Sequence, residues 1–157
     1  MKRYISILLL LLSPQLKAQW RPNEALLKAV RKVESSNGAF IIGDEGRSLG
    51  DFQLSEAAWL DVSNWRKAHG KKIYAHEKFV LNPSVNREYA SDYLTIIRQE
   101  LRKKLKRSPS SAEIYAAYNM GLGCFAQCKY SLARVNPVTA RKCSEIQAFV
   151  EKRVAQD

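Results

Sequence analysis

The sequence has few cysteines, few glycines and a deficit of acidic residues. Its three Cys and seven Gly in 157 residues exclude a disulfide-dense miniprotein and a collagen-like repeat. At 46% hydrophobic residues, the chain can bury a core of ordinary size, which excludes a wholly disordered protein. The 15 acidic residues stand against 26 Lys and Arg, and the resulting formal charge of +11 favours anionic partners.

Long apolar runs are also scarce, and the main one lies near the N-terminus. Lys2 and Arg3 form a basic start, residues 5–12 are apolar apart from one serine, and Ala18 offers a small residue for cleavage. This order is typical of a secretory signal peptide, and the run is shorter than the roughly 20 residues of a membrane span. We expect residues 1–18 to be removed and the protein to be secreted or periplasmic. The alternative is an uncleaved N-terminal anchor.

Cleavage would leave residues 19–157 as a basic domain. Lys2, Arg3 and Lys17 are removed with the signal peptide and no acidic residue is, so the net charge falls from +11 to +8 on the remaining 139 residues. Such a charge fits nucleic acid, an acidic lipid surface or an acidic cell-wall polymer. Export argues against nucleic acid, so none is expected as the working partner.

The cysteines allow a disulfide in an oxidising compartment. Cys124 and Cys128 are four residues apart, one turn of a helix, so both can face Cys143. The expected arrangement is one disulfide from Cys143 to either of the other two, with one thiol left over. This spacing is a poor zinc signal, and His69 and His76 lie far away in a loop-like stretch, so no metal site is predicted.

Apolar spacing and helix-capping residues predict a mainly helical domain with one small β element. Six helices are predicted. The first follows Pro22-Asn23, the second follows Ser55, and the third runs from Asn82-Pro83 to Ser108-Pro109. The fourth runs from Ser110 to Gly121, the fifth covers Cys124 to Val135, and the sixth follows Asn136-Pro137. An apolar segment at 40–42, a turn at 43–46 and a returning segment at 47–52 predict a β-hairpin. Residues 66–72 are predicted to form a polar, basic connection.

Glu34 is unusual because it lies on the apolar face of the first predicted helix. It follows Leu27 by seven residues and Val30 by four, so the three share one face. It also lies in the last turn, near the negative end of the helix dipole. Burial and the dipole both oppose ionisation, so we expect a raised pKa and a carboxyl suited to general acid catalysis. The competing interpretation is an acid paired with a nearby Arg or Lys at the domain edge.

The order of several short motifs resembles the lysozyme-like superfamily. The motifs are the Glu34-Ser35 helix end, the Gly-x-x-Gln segment that ends at Gln53, and the Ala-Tyr-Asn-x-Gly helix end that contains Tyr118 and Asn119. They look like the motifs of bacterial soluble lytic transglycosylases and goose-type lysozymes. The resemblance spans residues 25 to about 135.

A second stretch looks like invertebrate-type lysozymes. It comprises residues 44–54 together with Trp59-Leu60-Asp61, but the many cysteines of those lysozymes are absent. Asp51 is a departure, since relatives usually carry an uncharged residue there. It is either a cleft acid or a harmless residue at the rim.

The resemblance implies a lysozyme-like helical domain with a small β-hairpin beside an active-site cleft. It implies cleavage of the β-1,4 bond between N-acetylmuramic acid and N-acetylglucosamine, with peptidoglycan glycan strands as the partner and no metal or organic cofactor. Glu34 takes the position of the catalytic acid, and Ser35 matches a serine with a structural role. The substrate-binding residues that the resemblance implies are Ser48, Gln53, Tyr118 and Asn119.

The reaction depends on whether a second carboxylate takes part. Hydrolysis needs a nucleophile or base about 5–9.5 Å from the acid. Asp44 is the candidate, because the resembling lysozymes place their second acid in this turn, although turn chemistry alone would explain an aspartate there. Without it, Glu34 acts as acid and then as base, and the 6-hydroxyl of the substrate attacks to give an anhydro-muramyl product.

Two other classes of protein fit parts of the sequence. One is a non-catalytic wall-binding module that has kept the fold, although Glu34, Gln53 and Tyr118 are intact. The other is a basic antimicrobial or membrane-surface protein that acts through its charge. For the enzyme, no stable membrane insertion is expected once the signal peptide is removed.

Overall fold

A computed structural model describes residues 20–156 of the protein, so the expected signal peptide lies outside the described residues. Seven α-helices lie in this range: α1 Glu24–Ser35, α2 Glu56–Ala68, α3 His76–Phe79, α4 Pro83–Leu105, α5 Ser111–Met120, α6 Leu122–Gln127 and α7 Pro137–Val154. The strands are β1 Ile42–Gly43, β2 Ser48–Leu49 and β3 Leu54–Ser55, and 3-10 turns occupy Asp44–Gly46 and Leu132–Arg134. None of the described helices combines the length and apolar character needed to cross a membrane.

The predicted fold class is confirmed, and side-chain caps explain where the main helices begin. Asn23, Ser55, Asn82 and Asn136 each accept a hydrogen bond from an N–H of the first turn of the helix that follows. Ser110 does the same for α5 and forms a full capping box with Glu113. These caps satisfy N–H groups that have no partner within the helix, so the boundaries are encoded locally.

Helix α5 lies at the centre of the domain and packs against α4, α6 and α7. Every residue from Ala112 to Tyr118 is buried. Three of them are alanines, which allow neighbouring helices to approach closely. Because α5 is enclosed on all sides, the two tyrosines that it carries, Tyr115 and Tyr118, are held in fixed positions.

The β element is a three-stranded antiparallel meander in the order β1-β2-β3. Asn86 of α4 is buried against it: its Oδ1 accepts the Phe52 N–H at 2.9 Å, and its Nδ2 donates to Leu49 O at 3.2 Å and Val80 O at 2.9 Å. Gly50 makes this approach possible, since it has φ +80° and a Cβ there would lie 2.3 Å from Asn86 Nδ2. The loop between β2 and β3 is therefore fixed to the helical core.

The prediction of a polar connection at residues 66–72 is wrong at its beginning, because α2 continues to Ala68. Arg66 is only 1% exposed. Its guanidinium donates to Asp92 at 2.6 Å, to Glu88 at 2.7 Å and to the Lys72 backbone oxygen at 2.6 Å. Arginine looks polar in a sequence pattern, but here its carboxylate partners on α4 allow it to be buried.

The predicted helix over Cys124–Val135 is correct only as far as Gln127, and the predicted disulfide is not formed. Helix α6 ends at Gln127, and Lys129 and Tyr130 both have φ of +54°. Cys128 therefore lies outside the helix, where its Sγ donates to Arg134 O at 3.4 Å. Cys124 is exposed and Cys143 is buried, and all three thiols are free.

We predict that Arg66→Met will destabilise the fold strongly. The substitution leaves buried Asp92 with Lys71 as its remaining ion-pair partner, so the free energy of unfolding should fall by about 3 kcal/mol. The control is Arg87→Met, which breaks the exposed pair with Glu24 and should cost no more than about 1 kcal/mol. Urea unfolding checks both, and equal losses would contradict the structural importance of the Arg66 network.

Candidate active site

Glu34 lies at the point where α1 ends and the β element begins. Helix α1 closes at Ser36, whose left-handed backbone (φ 50°, ψ 47°) turns the chain away. Ser35 ties this end to the loop before β3, because its hydroxyl donates to Asp51 O at 2.7 Å and accepts the Gly38 N–H at 2.8 Å. Ser35 is thus structural, and the carboxyl beside it is held with 8% of its side chain exposed.

Two side chains from other helices meet the Glu34 carboxyl. The Tyr115 hydroxyl of α5 donates to Oε1 at 2.6 Å. The Lys142 Nζ of α7 lies 3.8 Å from Oε2. Burial and the Glu34 charge raise the pKa of Tyr115, so its hydroxyl stays protonated and remains a donor.

The pKa of Glu34 is raised above its ordinary value, as the sequence predicts. Burial is the largest cause, and the charge of Asp44 adds to it. The Tyr115 hydrogen bond, the Lys142 charge and, least, the Asn119 amide favour the ionised form and oppose the increase. This environment disfavours ionisation of the carboxyl, as general acid catalysis requires, and it contains contacts that stabilise the carboxylate once the proton has left.

All six residues predicted for the site line one cleft of about 300 Å³. Its walls consist of Glu34, Gly43, Asp44, Ser48, Gln53, Tyr118, Asn119 and Lys142. A larger groove of about 680 Å³ shares Ser48, Gln53, Tyr118 and Asn119 and continues past Trp65 and Tyr93. The cleft and groove together form an extended depression with Glu34 at one end, a shape suited to a chain-like ligand.

Asp44 lies across this cleft in the 3-10 turn after β1. Its side chain is exposed, and its Oδ2 accepts a hydrogen bond from the Ser48 hydroxyl at 2.9 Å. Asp44 and Glu45 both have positive φ, 48° and 58°, which makes this a tight turn. The turn thus places a carboxylate on the cleft wall without burying it.

Gln53 is fixed by the backbone around it. Its Nε2 donates to Gly50 O at 2.8 Å and to Phe40 O at 3.2 Å. Its Oε1 lies so close to Gly43 that a Cβ on that glycine would be 2.0 Å away. Gly43 is therefore needed for the side chain of Gln53 to occupy this position on the cleft.

Tyr118 and Asn119 line the cleft, but neither is the main support of the acid. The Tyr118 hydroxyl donates to Phe52 O at 2.6 Å and so joins α5 to the β element. Asn119 Oδ1 accepts the Thr139 hydroxyl of α7 at 2.8 Å. The strong hydrogen bond to Glu34 comes instead from Tyr115, one turn earlier on α5.

Asp51 does not line the cleft, so it is neither the cleft acid nor the rim residue that the sequence allowed. It is buried, and its Oδ2 accepts from Arg31 Nε at 2.7 Å. It belongs to the contact that joins α1 to the loop before β3. Of the two aspartates, only Asp44 is positioned to meet a ligand beside Glu34.

Sequence reasoning missed Tyr115 and Lys142. Tyr115 could have been predicted from the sequence, because it precedes Tyr118 by three residues and therefore lies on a neighbouring part of the same helix face. Lys142 could not, because it lies 108 positions after Glu34 in the sequence and reaches it only through the packing of α7 against α1 and α5.

Comparison with known families identifies one match. A model of the transglycosylase SLT domain matches residues 12–134, most of the chain. The match ends before α7, the helix that carries Lys142. No curated protein and no solved structure matches the sequence.

We predict that Tyr115→Phe will raise the pKa of Glu34 further. The phenol favours the ionised carboxyl, so its removal should make the proton harder to lose. A carbon-13 NMR titration of the Glu34 carboxyl measures this directly. Tyr118→Phe is the control, because it also removes a tyrosine hydroxyl, but one that donates its hydrogen bond to Phe52 O and not to Glu34. Equal titration shifts in both variants would contradict the assignment of Tyr115.

Proposed function

Since this chain belongs to the transglycosylase SLT domain family, we propose that it cleaves peptidoglycan glycan strands with Glu34 as the general acid. The family acts on peptidoglycan outside the cytoplasm as lytic transglycosylases with a lysozyme-like fold. The proposed bond is the β-1,4 link between N-acetylmuramic acid and N-acetylglucosamine. We further propose that residues 1–18 direct export and are then removed.

The observation that carries this proposal is the state of the Glu34 carboxyl. It is nearly buried, opens on a cleft that can hold a chain-like ligand, and has a raised pKa whose largest cause is burial. A protonated acid in such a position can deliver its proton to the glycosidic oxygen as the bond to C1 breaks. A wall-binding module would have no need for a carboxyl held in this unfavourable place.

The reaction proposed is the anhydro-forming one. Glu34 gives its proton to the departing sugar oxygen and becomes a carboxylate. That carboxylate then takes the proton of the muramyl 6-hydroxyl while the hydroxyl oxygen bonds to C1, which closes the 1,6-anhydro ring and restores the acid. Tyr115 stabilises the carboxylate between the two steps by its hydrogen bond.

Asp44 supports the same reaction through its charge. The transition state of glycosidic cleavage develops positive charge at the sugar ring. Asp44 lies on the cleft wall and is exposed, with Ser48 as its hydrogen-bond donor. In this proposal it stabilises the developing charge and forms no bond to the sugar.

We predict that Glu34→Gln will abolish cleavage and leave the fold intact. The amide keeps the shape of the acid, but its N–H groups are far too weakly acidic to transfer a proton to the sugar oxygen, so kcat should fall by about 10²–10⁴-fold. Release of soluble fragments from purified peptidoglycan measures it. The control is Glu24→Gln, the same change on the first turn of α1, outside the cleft and groove. Unchanged turnover of Glu34→Gln would contradict the site and favour a protein that acts through its charge.

Stability gives a second readout of the same variant. The folded pKa of Glu34 lies above the unfolded value of about 4.3. As pH rises from that value towards the folded pKa, the unfolded chain loses a proton that the folded protein keeps, so stability falls. Glu34→Gln removes this loss, and its melting temperature at neutral pH should equal or exceed that of the wild type.

We predict that Asp44→Asn will slow cleavage without changing the product. The charge of an exposed carboxylate is worth on the order of 1–2 kcal/mol, so the rate should fall about tenfold. Mass analysis of muropeptides should find anhydro ends with the wild type and with this variant. The control is Glu45→Gln, which neutralises the next residue of the turn. Reducing ends from the wild type, with a loss in Asp44→Asn as large as in Glu34→Gln, would instead establish two-carboxylate hydrolysis.

A further inference from the structure

Among residues 20–156, Lys142 is the cation closest to the Glu34 carboxyl. It projects from α7, with Nζ 3.8 Å from Glu34 Oε2 and 26% of its side chain exposed, and it forms part of the cleft wall. It lies beyond the segment that matches the transglycosylase SLT domain. Its presence is therefore a property of this chain that the family match does not supply.

The charge around Lys142 differs from the charge of the whole protein. Within residues 20–156, Lys142 is the one Lys or Arg among the residues that line the cleft and the groove. The carboxyl groups on the same walls are those of Glu34, Asp44 and Asp61. The many other cations of this basic protein lie elsewhere, so an anionic group in the cleft would depend on Lys142.

The contact with Glu34 does not use the hydrogen-bonding capacity of the ammonium. A separation of 3.8 Å exceeds the N–H···O range of 2.7–3.2 Å. In the reactive state Glu34 is protonated and neutral, so it gives Lys142 little compensation for its partial burial. A carboxylate from the bound strand would supply both the missing charge and a short hydrogen bond.

We propose that Lys142 binds a carboxylate of the glycan strand next to the bond that is cleaved, so that the enzyme prefers strands carrying free carboxylates there. This inference rests on the proposed function. The carboxylate has two sources in peptidoglycan, the lactyl group of a muramic acid without its peptide and the acidic groups of an attached peptide. The chemistry that Lys142 recognises is the same for both.

Binding of such a carboxylate would also assist the acid. Glu34 is faced by Tyr115 and Asn119 from α5, by Asp44 from the 3-10 turn and by Lys142 from α7. Lys142 lowers the pKa of Glu34, and a bound carboxylate would neutralise that effect. Glu34 would then hold its proton most firmly when the correct strand is in the cleft.

The test compares matched anionic and neutral strands. Intact glycan strands and strands stripped of peptides by an amidase are each used as prepared and after conversion of their carboxylates to amides. The wild type should show a KM about tenfold lower for the anionic form of at least one strand type, since a charge-assisted hydrogen bond is lost on amidation. A preference confined to stripped strands identifies the lactyl group, and one confined to intact strands identifies the peptide.

Variants then assign the preference to Lys142. Lys142→Met should abolish the difference in KM between anionic and neutral strands, and Lys142→Arg should retain it in part. Lys152→Met, nearly three turns further along α7 and in a separate pocket, should leave it unchanged. Equal KM values for anionic and neutral strands with the wild type would overturn the proposal even if Lys142→Met did not fold. A shift of the pH profile in Lys142→Met with the KM preference intact would also overturn it.

Failure of this inference is distinguishable from failure of the proposed function. If only the Lys142 proposal is wrong, the wild type still cleaves every strand and Glu34→Gln cleaves none. If the proposed function is wrong, Glu34→Gln and the wild type behave alike on anionic strands.

Discussion

The site depends on a carboxyl that is kept out of water at the end of α1. An ionised carboxylate without partners would be costly in a buried position, and burial accordingly raises the pKa of Glu34. The surrounding structure serves this one group. Ser35 fixes the helix end to the loop before β3, the enclosed helix α5 presents the Tyr115 hydroxyl, and α7 brings Lys142 within 3.8 Å. The β element then forms the opposite wall of the cleft.

The helical framework and the acid itself were predictable because their signals are local. Capping residues such as Asn23 and Ser110 indicate where helices begin, and the position of Glu34 on an apolar helix face predicts that its side chain is buried. The six residues predicted for the site do converge on one cleft. The resemblance to the lysozyme-like superfamily, rather than a local pattern, implied the four substrate-binding residues among them, since residues 48–53 and 118–119 are distant in sequence.

The remaining features arise from contacts between segments distant in sequence. Arg66 could not be placed in the interior without knowledge of Asp92, 26 positions later, and Lys142 could not be placed at the cleft without the packing of α7. The early end of α6 follows from positive φ at Lys129 and Tyr130, residues with no strong preference for that conformation. Composition gives the overall charge but not its distribution: of the described residues that line the cleft and the groove, one, Lys142, is a cation.

The most direct test of Glu34 as the acid is to compare its titration with the pH dependence of catalysis. Carbon-13 NMR gives the pKa of the Glu34 carboxyl in the free enzyme, and the alkaline limb of kcat/KM on peptidoglycan strands gives the pKa of the group that must be protonated. The predicted result is one shared value above the ordinary range of a glutamate. A Glu34 pKa near 4.3, or an alkaline limb governed by a different pKa, would contradict the central role of this residue.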